Sequence, residues 1–256
     1  MTTNSNKNTA GQDISFGSRT DIGYVRDHNE DSLIIIPPLF AVADGMGGHQ
    51  GGDYASRYTV EHMISKLASM ETKSPIAAIN DAILQINAEL YEQGRMVEEL
   101  QGMGTTLVAA TISGSTLYVA NVGDSRLYRI SDHLKQVTRD HSWVEEMIRE
   151  GRMTRDSAIY WEKKNIITRA IGAYERVTAD FFEVELNPGD RILLCSDGLS
   201  NMVEDRQIEQ ILLKTENRRN LTAAGRELIA AGKANGGKDN LSVVLVDPEL
   251  DEVKKC

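Results

Sequence analysis

Four aspartates of this chain adjoin strand-like runs, and their placement predicts one shared pocket. Asp44 and Asp197 each close an apolar run as part of an Asp-Gly pair, in LFAVADG (39–45) and ILLCSDG (192–198). Asp124 follows a strand-like run in NVGDS, and Asp239 precedes one in KDNLSVVLV. Apolar runs of this length beside glycine are typical of buried strands, whose ends meet solvent at the edge of a sheet.

Carboxylates gathered at such strand ends repel one another and resist desolvation. Divalent cations remove that cost, and ligand sets made only of oxygen select Mg2+ or Mn2+ over zinc. The aspartates therefore predict a binuclear metal hydrolase. The histidines lack the paired spacing of a zinc site, which disfavours a phosphoesterase with histidine ligands; they are His28, His49, His62, His133 and His141.

Composition narrows the possible partners and compartments. A net charge of -10 and a pI of about 5.1 argue against a nucleic-acid partner, which requires clustered Lys and Arg. No apolar stretch approaches the roughly 18 to 20 residues of a membrane span, and the first residues lack the hydrophobic core of a signal peptide. Cys195 lies in an apolar run and Cys256 is the last residue, so no disulfide framework is indicated. We predict a cytoplasmic protein without nucleic-acid or membrane partners.

The 256 residues fit one large domain. We predict a disordered leader over residues 1–13, because it is polar and short of apolar anchors, then one catalytic domain over 14–247 and a tail over 248–256. Spacings of three and four place five apolar residues on one face of a long helix packed on a sheet; they are Ile76, Ile79, Ile83, Ile86 and Leu90.

Strand patterns dominate the middle of the chain. Between residues 104 and 138, four strand-like stretches separated by turn signals predict an antiparallel meander; they are TTLVAATI, TLYVANV, RLYRI and LKQVT. Residues 141–177 are charged and irregular, which favours a protruding flap subdomain. Helix pairs arriving in two batches among many strands predict an α+β fold, a four-layer αββα sandwich of two packed antiparallel sheets flanked by helix pairs.

An ordered series of motifs extends across roughly residues 14–246. The motifs are R-x-x-x-E-D at 26–31, ADGMGGH at 43–49, GTT at 104–106, VGDSR at 122–126, DHS at 140–142, CSDGL at 195–199 and KDN at 238–240. This series resembles the metal-dependent Ser/Thr protein phosphatases of type 2C, and especially their compact bacterial members. The resemblance implies hydrolysis of phosphoserine and phosphothreonine in proteins, by direct attack of a water that bridges two Mg2+ or Mn2+ ions.

The resemblance also implies a set of metal ligands. Asp44 would bridge the two ions, with the Gly45 carbonyl on one ion and Asp197 and Asp239 on the other. The remaining acidic pair, Glu30 and Asp31, would hold coordinated waters or the second ion from the outer side.

Three further residues carry assigned roles. Arg26 would bind the phosphate, since a planar guanidinium donates two parallel hydrogen bonds to phosphoryl oxygens; a surface salt bridge is the alternative. Asp124 resembles the residue that holds a third, weaker metal in bacterial members, and capping of a turn with Ser125 is the alternative. Asn240 is predicted to orient Asp239 through its amide.

The resemblance further implies phosphorylated proteins as partners, a Ser/Thr kinase as antagonist and a monomeric chain. Animal members carry a histidine directly after the Asp-Gly pair, proposed as the general acid, whereas this chain has Met46 there. His49 is interpreted as a structural or loop-positioning residue. A metal-bound water could then protonate the leaving group.

The sequence disfavours two other chemistries. A cysteine phosphatase requires C-x5-R, but SDGLSN follows Cys195. A nucleotide switch requires a P-loop, but the glycine-rich GMGGHQGG lacks its Lys-Ser/Thr. The alternative to an enzyme is a phosphoprotein sensor without catalysis, and the presence of Asp44, Asp197 and Asp239 favours the enzyme.

Overall fold

A computed structural model describes residues 4–7, 13–47, 51–69, 74–214, 217 and 220–250. Within these ranges the strands form two antiparallel sheets. In spatial order the first contains β1 (Asn4–Lys7), β2 (Asp13–Asp21), β12 (Leu241–Asp247), β11 (Arg191–Cys195), β8 (Arg126–Ile130) and β9 (Leu134–Gln136). The second contains β10 (Asp180–Glu185), β7 (Thr116–Val122), β6 (Leu107–Ser113), β4 (Leu39–Met46) and β3 (Asp31–Ile36), with β5 (Gly104–Thr105) beside β4.

Alternation along the strands divides the core into three layers. Phe40 and Val42 pack between the sheets with Leu194 and Val244, whereas the intervening residue Ala41 faces helices. On the second sheet lie α1 (Gly51–Ser69) and α2 (Pro75–Met96); on the first lie α6 (Asp205–Leu213) and α7 (Leu221–Ala234). The predicted fold class, two packed antiparallel sheets with helix pairs outside, is confirmed.

Helix α2 follows the predicted pattern. Its start is fixed by Ser74, whose side chain accepts a hydrogen bond from the Ala77 amide, and by Pro75 in the first turn. Four of the five predicted face residues are buried against the second sheet, and Ile76 is half-buried at the helix start; the buried ones are Ile79, Ile83, Ile86 and Leu90.

The predicted four-stranded meander is wrong. β6 pairs with β7 in the second sheet, but β8 and β9 belong to the first sheet, so the chain crosses between the sheets at residues 123–125. Alternation of apolar and polar residues predicts strands but not which strands pair, because the inward-facing residues of both sheets are apolar. The crossing requires Gly123, whose φ is +101° and where a Cβ would lie 2.6 Å from Thr106 Cγ2. It places Asp124 between the two sheets.

The predicted disordered leader is wrong for residues Asn4–Lys7, which form β1 on the edge of β2. A polar strand needs no apolar anchor when backbone hydrogen bonds to an edge strand hold it. The rest of the leader lies outside the described residues. In the tail, residues 248–250 have no regular structure and 251–256 are outside the described ranges.

The flap segment contains two short helices, α3 (Trp143–Arg149) and α4 (Ala158–Lys163), each capped by a serine. The rest of the segment is irregular. A further short helix, α5 (Asp197–Ser200), follows β11. No helix in the described ranges has the length and apolar character needed to cross a bilayer.

Candidate metal centre and active site

A polar cavity of about 220 Å³ opens where strand ends of both sheets meet beside the flap. It is lined by Arg26, Glu30, Asp44, Gly45, Met46, Gly47, Thr106, Asp124, Asn165, Ile167, Asp197 and Asp239. Seven of the nine predicted site residues are in this lining. The exceptions are Asn240 and Asp31, and Asp31 is paired with Asp44 across strands β3 and β4. A larger cavity of about 440 Å³ lies under the flap, but none of the four predicted aspartates lines it.

Two threonines hold the backbone of Asp44. The Thr106 hydroxyl accepts a hydrogen bond from the Asp44 amide at 3.0 Å, and the Thr105 hydroxyl donates to the Asp44 carbonyl at 2.9 Å. The Gly45 amide donates to the Glu30 carbonyl at 3.1 Å. A Cβ on Gly45 would lie 2.1 Å from the Gly52 carbonyl oxygen, so only glycine fits. The GTT motif therefore fixes the backbone of the Asp-Gly pair at the end of β4.

Asp197, in the second Asp-Gly pair, is held by Asn201 and, through Asn201, by the flap residue Lys164. Asn201 Nδ2 donates to Asp197 Oδ2 at 2.9 Å, and Lys164 Nζ donates to Asn201 Oδ1 at 2.9 Å. The sequence analysis missed both residues. Asn201 stands one helical turn after Asp197 in SDGLSN, a spacing that brings side chains together on a helix and could have identified it. Lys164 has no such local signal.

Asn240 contacts Asp239 through its backbone amide, and its side chain has other partners. Only its backbone amide contacts Asp239, by donating to Oδ1 at 2.9 Å. Its side chain donates to the carbonyls of Ile22 and His28 and accepts from the Glu30 amide at 2.8 Å. Because a side-chain amide can donate twice and also accept, Asn240 fixes the loop that carries Arg26 and Glu30 instead.

Burial and mutual repulsion raise the pKa values of the clustered aspartates. Burial, followed by the charges of neighbouring aspartates, raises the pKa of Asp44 and Asp124 well above its ordinary value, and burial followed by the charge of Asp239 raises that of Asp197. Burial also raises the pKa of Asp31 to about 7. The cluster is therefore short of positive charge at neutral pH.

The residues present fit hard divalent cations. Asp31 Oδ1 is buried without a hydrogen-bond partner, and the acidic side chains of the cavity offer only oxygen donors. In the described ranges no group of three His, Cys, Asp or Glu side chains is arranged, as the side chains stand, to hold a metal ion. A divalent cation would supply the positive charge that the clustered carboxylates lack.

Arg26 forms the salt bridge that the sequence left as an alternative. Its Nη2 lies 2.8 Å from Asp239 Oδ2, and its side chain is 50% exposed. The hydrogen bond to Asp239 raises the pKa of Arg26, with the nearby charges of Glu30 and Asp44 adding to it. The guanidinium is thus charged, half-exposed and at the mouth of the cavity.

The cavity wall beside Asp44 carries Met46, and no histidine is among its described lining residues. The general acid of animal members therefore has no counterpart in this lining. His49 lies outside the described residues, so its predicted positioning role stays a prediction.

A family model described as protein phosphatase 2C matches residues 26–245. The chain belongs to the protein phosphatase 2C family. The match begins at Arg26 and includes every predicted metal ligand.

Relatives within the family agree with this membership. The serine/threonine phosphatase stp of Listeria monocytogenes serotype 4b is 40% identical over 248 residues, covering 91% of this chain and 96% of that protein. The crystal structure of the Mycobacterium tuberculosis serine/threonine phosphatase PstP/Ppp has a TM-score of 0.84 at 36% identity, covering 92% of this chain and 99% of that one. A structure of the PstP catalytic domain in complex with two manganese ions has a TM-score of 0.81 at 35% identity, with coverages of 91% and 97%. The predicted family and the class of metal-dependent protein phosphatase are confirmed.

Proposed function

We propose that this protein phosphatase 2C member removes phosphate from phosphoserine and phosphothreonine in proteins, using two Mg2+ or Mn2+ ions. The observation that carries the proposal is the convergence of aspartates from both sheets on one cavity, with a charged and accessible arginine at its mouth. The two manganese ions of the related PstP domain support the choice of metal.

Under this proposal Asp44 would be a ligand shared by the two ions, with the Gly45 carbonyl as a ligand of one ion and Asp197 and Asp239 as ligands of the other. Glu30, in the cavity lining, and Asp31, paired with Asp44 across β3 and β4, would hold coordinated waters or the second ion from the outer side. Asp124, placed between the sheets by the crossing at Gly123, is proposed to hold a third, weaker ion. When bound, the ions would acidify the attacking water and neutralise the phosphoryl oxygens.

Side chains of the protein position the phosphoryl group and the carboxylate of Asp197. Arg26 is proposed to bind the phosphate, where two parallel hydrogen bonds fix the phosphoryl group and offset its charge. Asn201 fixes the orientation of Asp197, and Lys164 fixes Asn201. The flap residues Asn165 and Ile167 form part of the cavity wall.

The segment 141–177 is proposed to act as a flap within a single catalytic domain over residues 14–247. We further propose a monomeric, cytoplasmic enzyme that opposes a Ser/Thr protein kinase. Cysteine usage supports the compartment, and the kinase follows from the chemistry, since a phosphoprotein substrate requires an enzyme that phosphorylates it.

The test is metal-dependent release of phosphate from a phosphothreonine peptide. Asp44→Asn and Asp239→Asn should each abolish turnover at saturating Mn2+ without loss of fold, because each removes a ligand charge and leaves the volume unchanged. Asp81→Asn, on the exposed surface of α2, is the matched control and should keep full activity.

Chelation of the wild type should have the same effect as the two site substitutions. Substantial turnover by either variant would reject the ligand assignment. A wild type that binds the phosphopeptide but never releases phosphate would instead favour the sensor.

A further inference from the structure

Two groups of exposed apolar side chains flank the catalytic cavity. On one side Tyr24 is 69% exposed and Val25 is 65% exposed, immediately before Arg26 in the cavity wall. On the other side the flap residues Trp161 and Ile166 are 66% and 48% exposed, and Ile166 stands between the wall residues Asn165 and Ile167. Single exposed apolar residues are ordinary, but a grouping around a pocket marks an interaction site.

Both aromatic residues contact segments that carry site residues. The Tyr24 amide donates to the Gly237 carbonyl at 2.7 Å, which anchors this residue to the loop that precedes Asp239. Trp161 has Lys164 Nζ 5.4 Å from its ring centroid, and Lys164 in turn holds Asn201 beside Asp197. Both residues are therefore connected to segments that line the same cavity.

The ammonium groups near these rings are already engaged. Lys233 Nζ lies 4.7 Å from the Tyr24 ring centroid and pairs with Asp21 at 2.9 Å. Lys164 is committed to Asn201. Their contacts hold one face of each ring, while most of each side chain stays open to a ligand. An apolar side chain of a ligand would gain contact with aromatic surface at either ring.

We propose that Tyr24 with Val25, and Trp161 with Ile166, form two apolar docking borders that select phosphoprotein segments with apolar residues on both sides of the phosphorylated residue. This inference rests on the proposed phosphatase function and adds its substrate class. The phosphate enters the cavity beside Arg26, and the flanking side chains of the substrate pack on the two borders. Burial of apolar surface against the rings supplies the selectivity.

The test uses two phosphothreonine peptides of equal length and charge, one with Leu and Phe on both sides of the phosphothreonine and one with Ser and Gly there. The wild type should show a higher kcat/KM for the apolar peptide. Tyr24→Ser and Trp161→Ser should each lower that value by about 3- to 10-fold, the contribution of one aromatic contact. Tyr24→Ser should leave turnover of a small aryl phosphate unchanged.

Matched controls come from α2, which contributes no residue to the cavity lining. Met96→Ser and Leu84→Ser remove apolar side chains that are 74% and 45% exposed and should leave both peptides unaffected. A binding measurement adds a readout independent of turnover. In the Asp44→Asn variant, the apolar peptide should shift the emission of exposed Trp161, and the Trp161→Ser variant of that protein should lose the shift.

The outcomes separate the two levels of the proposal. Equal kcat/KM for the two peptides, or a preference for acidic flanks, would overturn the docking borders while turnover of the aryl phosphate upholds the phosphatase. Absence of aryl phosphate turnover in the wild type would reject the phosphatase itself. Equal losses in the border variants and the α2 controls would also overturn the inference.

Discussion

Asp31 allows a quantitative test of the charge cluster through the stability of the metal-free protein. Burial raises the pKa of this carboxyl from 3.8 to about 7. Below pH 4, Asp31 is protonated in both the folded and the unfolded chain and contributes no pH dependence. Between pH 4 and 7 only the unfolded chain releases the proton readily, so the free energy of unfolding falls by about 1.4 kcal/mol per pH unit. The loss approaches its limit above pH 7, at about 4 kcal/mol.

Replacing Asp31 with Asn removes this titration. In chelator, the free energy of unfolding of Asp31→Asn minus that of the wild type should rise by about 3 to 4 kcal/mol between pH 4 and pH 8. The amide leaves a buried NH2 near the position of the unpartnered Oδ1, which costs about the same at every pH and does not alter this rise.

The assay is urea unfolding followed by circular dichroism at several pH values, with Asp81→Asn as the exposed control. The control should keep the wild-type pH dependence. Excess Mn2+ should stabilise the wild type more at pH 8 than at pH 5, because ionised carboxylates bind the cation better. A difference between Asp31→Asn and wild type that stays constant from pH 4 to 8 would refute the reasoning.

Three further predictions address the phosphate contact, the packing and the flap. Arg26→Ala should raise KM for a phosphopeptide by about tenfold with a smaller effect on kcat, and an unchanged KM would leave Arg26 only its salt bridge to Asp239. Gly198→Ala should destabilise by more than about 3 kcal/mol in thermal or urea unfolding, because its Cβ would lie 1.9 Å from the Asn240 carbonyl oxygen. Gly225→Ala, inside α7, serves as the control. Its added Cβ would lie 3.5 Å from the nearest atom, Val243 Cγ2, so this substitution should stabilise the protein by about 0.5 to 1 kcal/mol. Changing exposed flap residues should alter kcat/KM for phosphoproteins and spare an aryl phosphate, and equal effects on both substrates would contradict a recognition role; these residues are Arg152, Arg155 and Lys163.

The sequence predicted those parts of the site that follow from local patterns. Asp44 and Asp197 could be placed at strand ends because apolar runs lead directly into them. The helix face of α2 could be predicted because its period of 3.6 depends on one segment alone. The motif series then related Arg26, Glu30 and Asp239 to the same pocket.

What could not be predicted depends on contacts between distant segments. The hydrogen bond from Lys164 to Asn201 joins the flap to the turn after β11, and no local pattern reports it. The side chain of Asn240 reaches back to the loop ending at Glu30 instead of to its own neighbour. The strands on either side of Asp124 belong to different sheets, a choice that alternation along each strand leaves open.

The position of β12 has a consequence for the synthesis of this protein. It is the last strand of the domain, yet it lies in the middle of the first sheet, between β2 and β11. A ribosome must therefore synthesise residues 241–247 before that sheet can close. A product truncated before residue 239 would lack Asp239 and would leave the facing edges of β2 and β11 unpaired, which promotes aggregation. Premature termination should thus yield insoluble or degraded chains and no partly active phosphatase.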